Sequence, residues 1–118
     1  MGIKLININS ELGAGTRGAS LGFKALEVAG WNKNSDYFSR YPLVTVQDEN
    51  HFLYSPVETP QAKYAQGIYK VFERMVFEFA EVAKGKDFPI VIAGDHSTAA
   101  ATTSGLKIAN PDRRLGVV

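Results

Sequence analysis

A chain of 118 residues has room for one domain with a modest core, and thirteen Lys and Arg against twelve Asp and Glu leave a formal charge of +1. No basic block of five or more occurs, which argues against nucleic acid and anionic membrane as partners. The absence of cysteine removes disulfides, thiolate nucleophiles and zinc fingers and is compatible with any compartment.

The chain opens Met1-Gly-Ile-Lys-Leu-Ile6, without a signal peptide's long apolar run and without the Ser/Thr a myristoylation motif wants at Ile6, so a cytoplasmic location is expected. Ile3 to Ile8 reads as a strand. Gly13-Ala-Gly15-Thr-Arg-Gly18 follows it and matches the dinucleotide pattern G-x-G-x-x-G. The context departs from that pattern. Asn9-Ser10-Glu11-Leu12 separate the glycines from the strand, and the acids closing the next strand, Asp48 and Glu49, come about thirty residues after Gly18 rather than about twenty. A flexible strand-to-helix loop with a tight path is the stronger reading, and no cofactor-binding residues are assigned there.

A helix is predicted from about Ala19 to Ala29, with Leu21, Ala25, Leu26 and Ala29 on one face and Gly30 ending it. Asn32 to Tyr41 reads as a loop, Leu43 to Val46 as a second strand, and Gln47 to Gln61, with Pro56 and Pro60, as a long loop. His51 in that loop reads as a surface or packing residue. From about Gln61 to Lys84 a helix carries Ile68, Val71, Phe72, Met75, Val76, Phe79, Val82 and Ala83 on one stripe, and Gly85 stops it. Such a stripe reads as core packing. Lys70, Glu73, Arg74, Glu78 and Glu81 interrupt it too often for a membrane span. Glu58, Glu73 and the remaining acids show no metal-ligand spacing and read as solvated charges.

Pro89 to Ala93 is a third strand, Thr98 to Ala109 a helix ending before Pro111, and Leu115-Gly-Val-Val118 a fourth strand. Strands that do not alternate polar and apolar residues suit burial on both faces, and their alternation with helices implies a parallel sheet with right-handed crossovers. The class is α/β, in one unit over residues 1–118. A strand that has only begun at Val118 leaves unpaired backbone groups, which predicts either a truncated chain or association with another chain.

Ala93-Gly94-Asp95-His96-Ser97 lies at the C-terminal end of the third strand, the edge where open parallel sheets bind ligands. Gly94 permits an unusual backbone path, Asp95 accepts hydrogen bonds from amides or orients an imidazole, His96 ligates a metal as the neutral base, and Ser97 caps the next helix. One His with one Asp falls short of a metal site, so a strand-to-helix turn with a polar cap also stands.

The segment Ile90-Val-Ile-Ala-Gly-Asp-His-Ser97, between a long amphipathic helix and a helix ending in Asn110-Pro-Asp112, resembles the arginase, agmatinase and formimidoylglutamase superfamily. Gly13 to Gly30 is similar to the arginase N-terminal loop and helix, with Thr16-Arg17-Gly18-Ala19 where a Pro-Arg-Gly-Gly type sequence is common. Ala93 departs from the glycine many members carry. The resemblance implies a three-layer parallel-sheet fold, here its N-terminal portion, and a parent that is a manganese-dependent ureohydrolase, most simply an arginase producing ornithine and urea. It implies that His96 ligates one of two Mn2+ ions, with Gly94, Asp95 and Ser97 shaping the site. The family's other ligands come from a later Asp-Ala-His-x-Asp motif and a still later Asp-x-Asp motif, neither present here. The chain alone is therefore expected to be inactive and to bind manganese weakly, while the parent's substrate is a small guanidino compound: arginine, agmatine or formimidoylglutamate. The competing reading is a non-catalytic truncated α/β module that self-associates through the exposed edge of Pro89 to Ala93 as a homo-oligomer.

Overall fold

The computed structural model describes residues 2–57 and 59–118, so Glu58 lies outside the described residues. Three parallel strands, β1 (Ile3–Ile8), β2 (Leu43–Val46) and β3 (Phe88–Ala93), form one sheet in the order β2-β1-β3. Leu5 stands opposite Leu43 and Ile90, and Ile8 opposite Val46 and Ala93, so all three strands end at one edge. The apolar run of β1 is explained by this central place: Leu5, Ile6, Asn7 and Ile8 are all buried, which an alternating strand with one wet face would not require. The α/β class and parallel sheet are as expected.

Among the described residues four α-helices complete the fold: α1 (Gly22–Asn32), the single turn α2 (Tyr37–Arg40), α3 (Ala65–Lys84) and α4 (Ala99–Ala109). The stripe on α3 does pack inward. Val71, Met75, Phe79 and Val82 join Ile6, Ile8, Val46 and Ala101 in one core, with Phe72, Val76, Val91 and Leu106 against it. Gly105 lets α4 approach α3, because a Cβ there would stand 2.9 Å from the Val76 carbonyl oxygen and from Phe79 Cβ.

Several boundaries differ from the sequence reading, each for a local reason. A 3-10 turn at Ala19–Leu21 precedes α1, and its three-residue winding breaks the phase that would align Leu21 with Ala25. The expected face of Leu21, Ala25, Leu26 and Ala29 is exposed, and Phe23 is the side chain α1 buries, edge-on to Phe38 at 5.5 Å. The helix runs through Gly30 to Asn32, and Asn34 takes the left-handed conformation at φ 55°. The expected loop from Asn32 to Tyr41 contains α2, where Tyr37 meets Phe38 and Tyr41 edge-on. The expected loop from Gln47 to Gln61 contains a 3-10 helix at Asn50–Tyr54. Helix α3 begins at Ala65 rather than Gln61 because Tyr64 sits at φ 58°, a left-handed residue that no α-helix can include. At its other end Gly85 is still right-handed, and Lys86 makes the reversal at φ 65°.

The fourth strand is not formed. Leu115 to Val118 has no strand pairing, and Leu115, Val117 and Val118 are exposed. Lys107 explains the path: its ammonium donates to the carbonyl oxygens of Pro111 (2.7 Å) and Arg113 (2.9 Å), drawing the chain back over the end of α4. Among the described residues β3 pairs with β1 alone, leaving its outer edge open. No helix among the described residues is long and apolar enough to cross a membrane.

Candidate functional site

The carboxyl ends of β1, β2 and β3 meet at one edge, and the loops leaving them are tied together by polar side chains. Asn50, after β2, donates from Nδ2 to the Asn9 carbonyl oxygen at 2.8 Å and accepts from the Glu11 amide at 2.8 Å. Its neighbour Glu49 receives the guanidinium of Arg74, which also donates to the Gln47 carbonyl oxygen at 3.0 Å. The hydrogen bond from Arg74 leads in holding the Glu49 carboxyl below its ordinary range, against the opposing effect of burial, with Lys70 and His51 adding to it. His51 lies on the surface, 3.6 Å from the Glu49 carboxylate, its ring beside Phe52.

Glu11 is fully buried. Its Oε1 accepts from the Gly18 amide (2.6 Å), the Ser20 amide (2.9 Å) and the Ser20 hydroxyl (2.7 Å). Its Oε2 stands 2.9 Å from Nη1 of Arg17, close enough for an ion pair but without hydrogen-bond alignment. Burial pushes this carboxyl up, yet the Ser20 and Gly18 donors together with Arg17 outweigh it and hold the group below its ordinary range. Glu11 and Glu49 therefore correct the reading of the unassigned acids as solvated charges, whereas Glu73 is exposed. The available signal was Glu11's place beside a glycine loop, whose many free amides require an acceptor.

The sequence-predicted residues fall together after β3. Asp95 is extended, and its carboxylate works in two directions. Oδ2 accepts from the amides of Gly13 (2.9 Å) and Ala14 (3.3 Å), clamping the first loop, while Oδ1 accepts from the Ser97 amide (2.9 Å) and hydroxyl (2.5 Å). Asp95 is thus the cap of the 3-10 turn His96–Thr98, and Ser97 is its donor rather than the cap of α4. Gly94 is required by clearance, not by φ: a Cβ would stand 2.5 Å from the Ser10 carbonyl oxygen. His96 is exposed at the sheet edge, in the first residue of that turn.

These bonds bear on the two ligand readings. In the glycine loop, the Gly13 and Ala14 amides serve Asp95, the Gly15 amide serves the Glu11 carbonyl oxygen (2.9 Å), and the Gly18 amide serves the Glu11 carboxylate. A pyrophosphate would have to displace two anionic acceptors to reach them. For a metal, His96 offers one exposed imidazole at the carboxyl edge of the sheet, but no group of three or more His, Cys, Asp or Glu able to hold an ion exists among the described residues. The chain fits a metal as the source of one donor, not as a complete site.

The likeness to known proteins agrees with this architecture. Arginase from Brevibacillus brevis is 27% identical over 127 residues, covering 98% of this chain and 38% of the relative. Two crystal structures of arginase from Bacillus subtilis, one of them from subsp. subtilis str. 168, superpose with TM-scores of 0.60 and 0.63 at 24% identity. They match 89% of this chain and 33% and 34% of their own, a likeness of fold. The chain spans less than two fifths of the length of these relatives. A model of the arginase family matches residues 2–118, and the chain belongs to that family.

Proposed function

We propose that this chain is the N-terminal part of a manganese-dependent ureohydrolase that hydrolyses arginine to ornithine and urea, with His96 as one protein ligand. The observation that carries the reading is the exposed imidazole of His96 at the carboxyl edge of the sheet, on a turn braced from both sides by Asp95, in a chain of this family. When bound, manganese lowers the pKa of water and so supplies a nucleophile at neutral pH. The chain's own residues prepare one donor for it. Gly94 lets the turn sit against Ser10, Asp95 ties it to the glycine loop, and Ser97 fixes the Asp95 carboxylate, so the imidazole projects from a rigid edge. The cytoplasm is the proposed location.

Manganese added to the isolated chain should broaden the NMR signals of His96 selectively, with weak affinity, and His96→Ala should remove the effect. Uniform broadening, or micromolar affinity unaffected by that substitution, would contradict the single-donor reading. The full-length gene product should release urea from arginine, and His96→Ala should lower the rate by more than about 100-fold, beyond the cost of losing an outer partner. Urea release by the isolated chain, lost in His96→Ala, would show that the site is already whole.

A second reading has its own support in the open edge of β3. Phe88 is exposed there and Pro89 to Ile92 are only half-buried, a strand ready to pair with another copy. Light scattering should find oligomers that grow with concentration and shrink in Ile90→Lys. A monomer at high concentration would exclude this reading.

A further inference from the structure

Two carboxylates hold the loop between β1 and α1, and only one of them, Asp95, belongs to the turn that carries His96. Glu11 reaches that turn from the other side. A Cβ on Gly94 would meet the Ser10 carbonyl oxygen at 2.5 Å and the Ala19 carbonyl group at 3.4 Å, so these two peptides form the surface on which Gly94 rests. Glu11 holds the first through its backbone amide and the second through its carboxylate. Ser10 immediately precedes it, and Glu11's own amide is fixed by Asn50 at 2.8 Å. Ala19 lies between Gly18 and Ser20, whose amides both donate to Glu11 Oε1, at 2.6 and 2.9 Å.

We propose that Glu11 is a positioning residue for His96. Its buried carboxylate closes the Ala19 peptide onto Gly94, beside the Ser10 carbonyl that Asn50 seats through the Glu11 amide, so that the turn from Gly94 to Ser97 holds the imidazole in one orientation at the sheet edge. The contact is between backbones, which leaves little freedom for side chains to absorb a change. The functional meaning rests on the reading of His96 as a metal donor, but the mechanical coupling does not, and the two are measured separately. Glu11→Ala leaves the Gly18 and Ser20 amides without their acceptor. Glu11→Gln keeps one carbonyl oxygen at the same reach for the Gly18 and Ser20 donors and puts an uncharged NH2 in place of the oxygen facing Arg17.

The test uses the chain with 13C,15N-labelled histidine and no metal, the His96 ring signal being assigned by its loss in His96→Ala. In Glu11→Ala that signal should shift and broaden, in Glu11→Gln it should return close to its native position, and the Ala101 amide in the core should report an intact fold in both. Titration with manganese should then show the apparent affinity at His96 lowered about tenfold in Glu11→Ala and largely restored in Glu11→Gln. A folded Glu11→Ala with an unmoved His96 signal overturns the proposal. If Glu11→Ala does not fold, Ser20→Ala, which removes only the 2.7 Å hydroxyl bond, decides: a smaller shift of His96 supports the coupling and an unmoved signal refutes it. Failure of manganese to broaden His96 in the unaltered chain would refute the metal reading while leaving the metal-free comparison to judge the coupling.

Discussion

Met75→Ala is expected to lower the stability of the chain by about 3 kcal/mol, within the range of ~2–5 kcal/mol for truncating a buried methionine. Met75 is fully buried at the centre of the only large apolar cluster described, between Ile6, Ile8 and Val46 of the sheet and Ala101 of α4. Its neighbours are anchored on three different elements, so the space left by three lost heavy atoms cannot close without moving a helix or a strand. Urea denaturation followed by far-UV circular dichroism measures the loss, with Phe77→Ala as control, since Phe77 lies on the same helix but is 64% exposed. A Met75→Ala loss under ~1 kcal/mol, no larger than that of Phe77→Ala, would show that α3 does not seat on the sheet through this face.

Acid should unfold the chain through two particular carboxylates. The folded-state values of Glu11 and Glu49 are both held below the ordinary carboxylate value of 4.5. A depressed folded value means that the unfolded chain binds protons first, so the stability each group contributes is fully present above 4.5 and is lost as pH falls through the lowered folded value. The groups facing them are Arg17 for Glu11, and Arg74, Lys70 and His51 for Glu49. Urea midpoints should therefore be level above 4.5 and fall as the pH drops from there through the lowered folded values, and Glu11→Gln and Glu49→Gln should each flatten the fall while lowering the plateau. A double variant with an unchanged acid limb would assign acid sensitivity to other groups.

β1 was readable because burial on both faces leaves an unbroken apolar run, β2 and β3 by their β-branched composition although most of their residues are half-buried or exposed, and the stripe of α3 because one long helix face meets one core. The turn at Gly94 to Ser97 was readable because turn- and cap-forming residues directly follow an apolar strand and precede a helix pattern. What escaped reading depends on distant partners. α1 buries Phe23 against Phe38, a partner on another element, and the roles of Glu11 and Glu49 follow from donors supplied by Ser20 and Arg74, far from them in pattern if not in space. Leu115 to Val118 had the composition of a strand, but composition does not supply the neighbour that pairing needs, and Lys107 holds the preceding residues elsewhere.

The hydrogen bond from the Gly13 amide to Asp95 joins residues 82 positions apart in the chain. Closing so long a loop carries an entropic cost that local contacts do not, so it is expected to form late, once β3 has docked beside β1. The sheet pair β1 and β2, together with the amide bridge from Asn50, can assemble without it. Until β3 arrives, the segment from Gly13 to Gly18 has only Glu11 to fold around and remains open to a protease. A pulse of trypsin during refolding should therefore cut after Arg17 early and lose access to it in the same step that orders His96. Cleavage after Arg17 that persists once His96 is ordered would show that the glycine loop closes independently of β3.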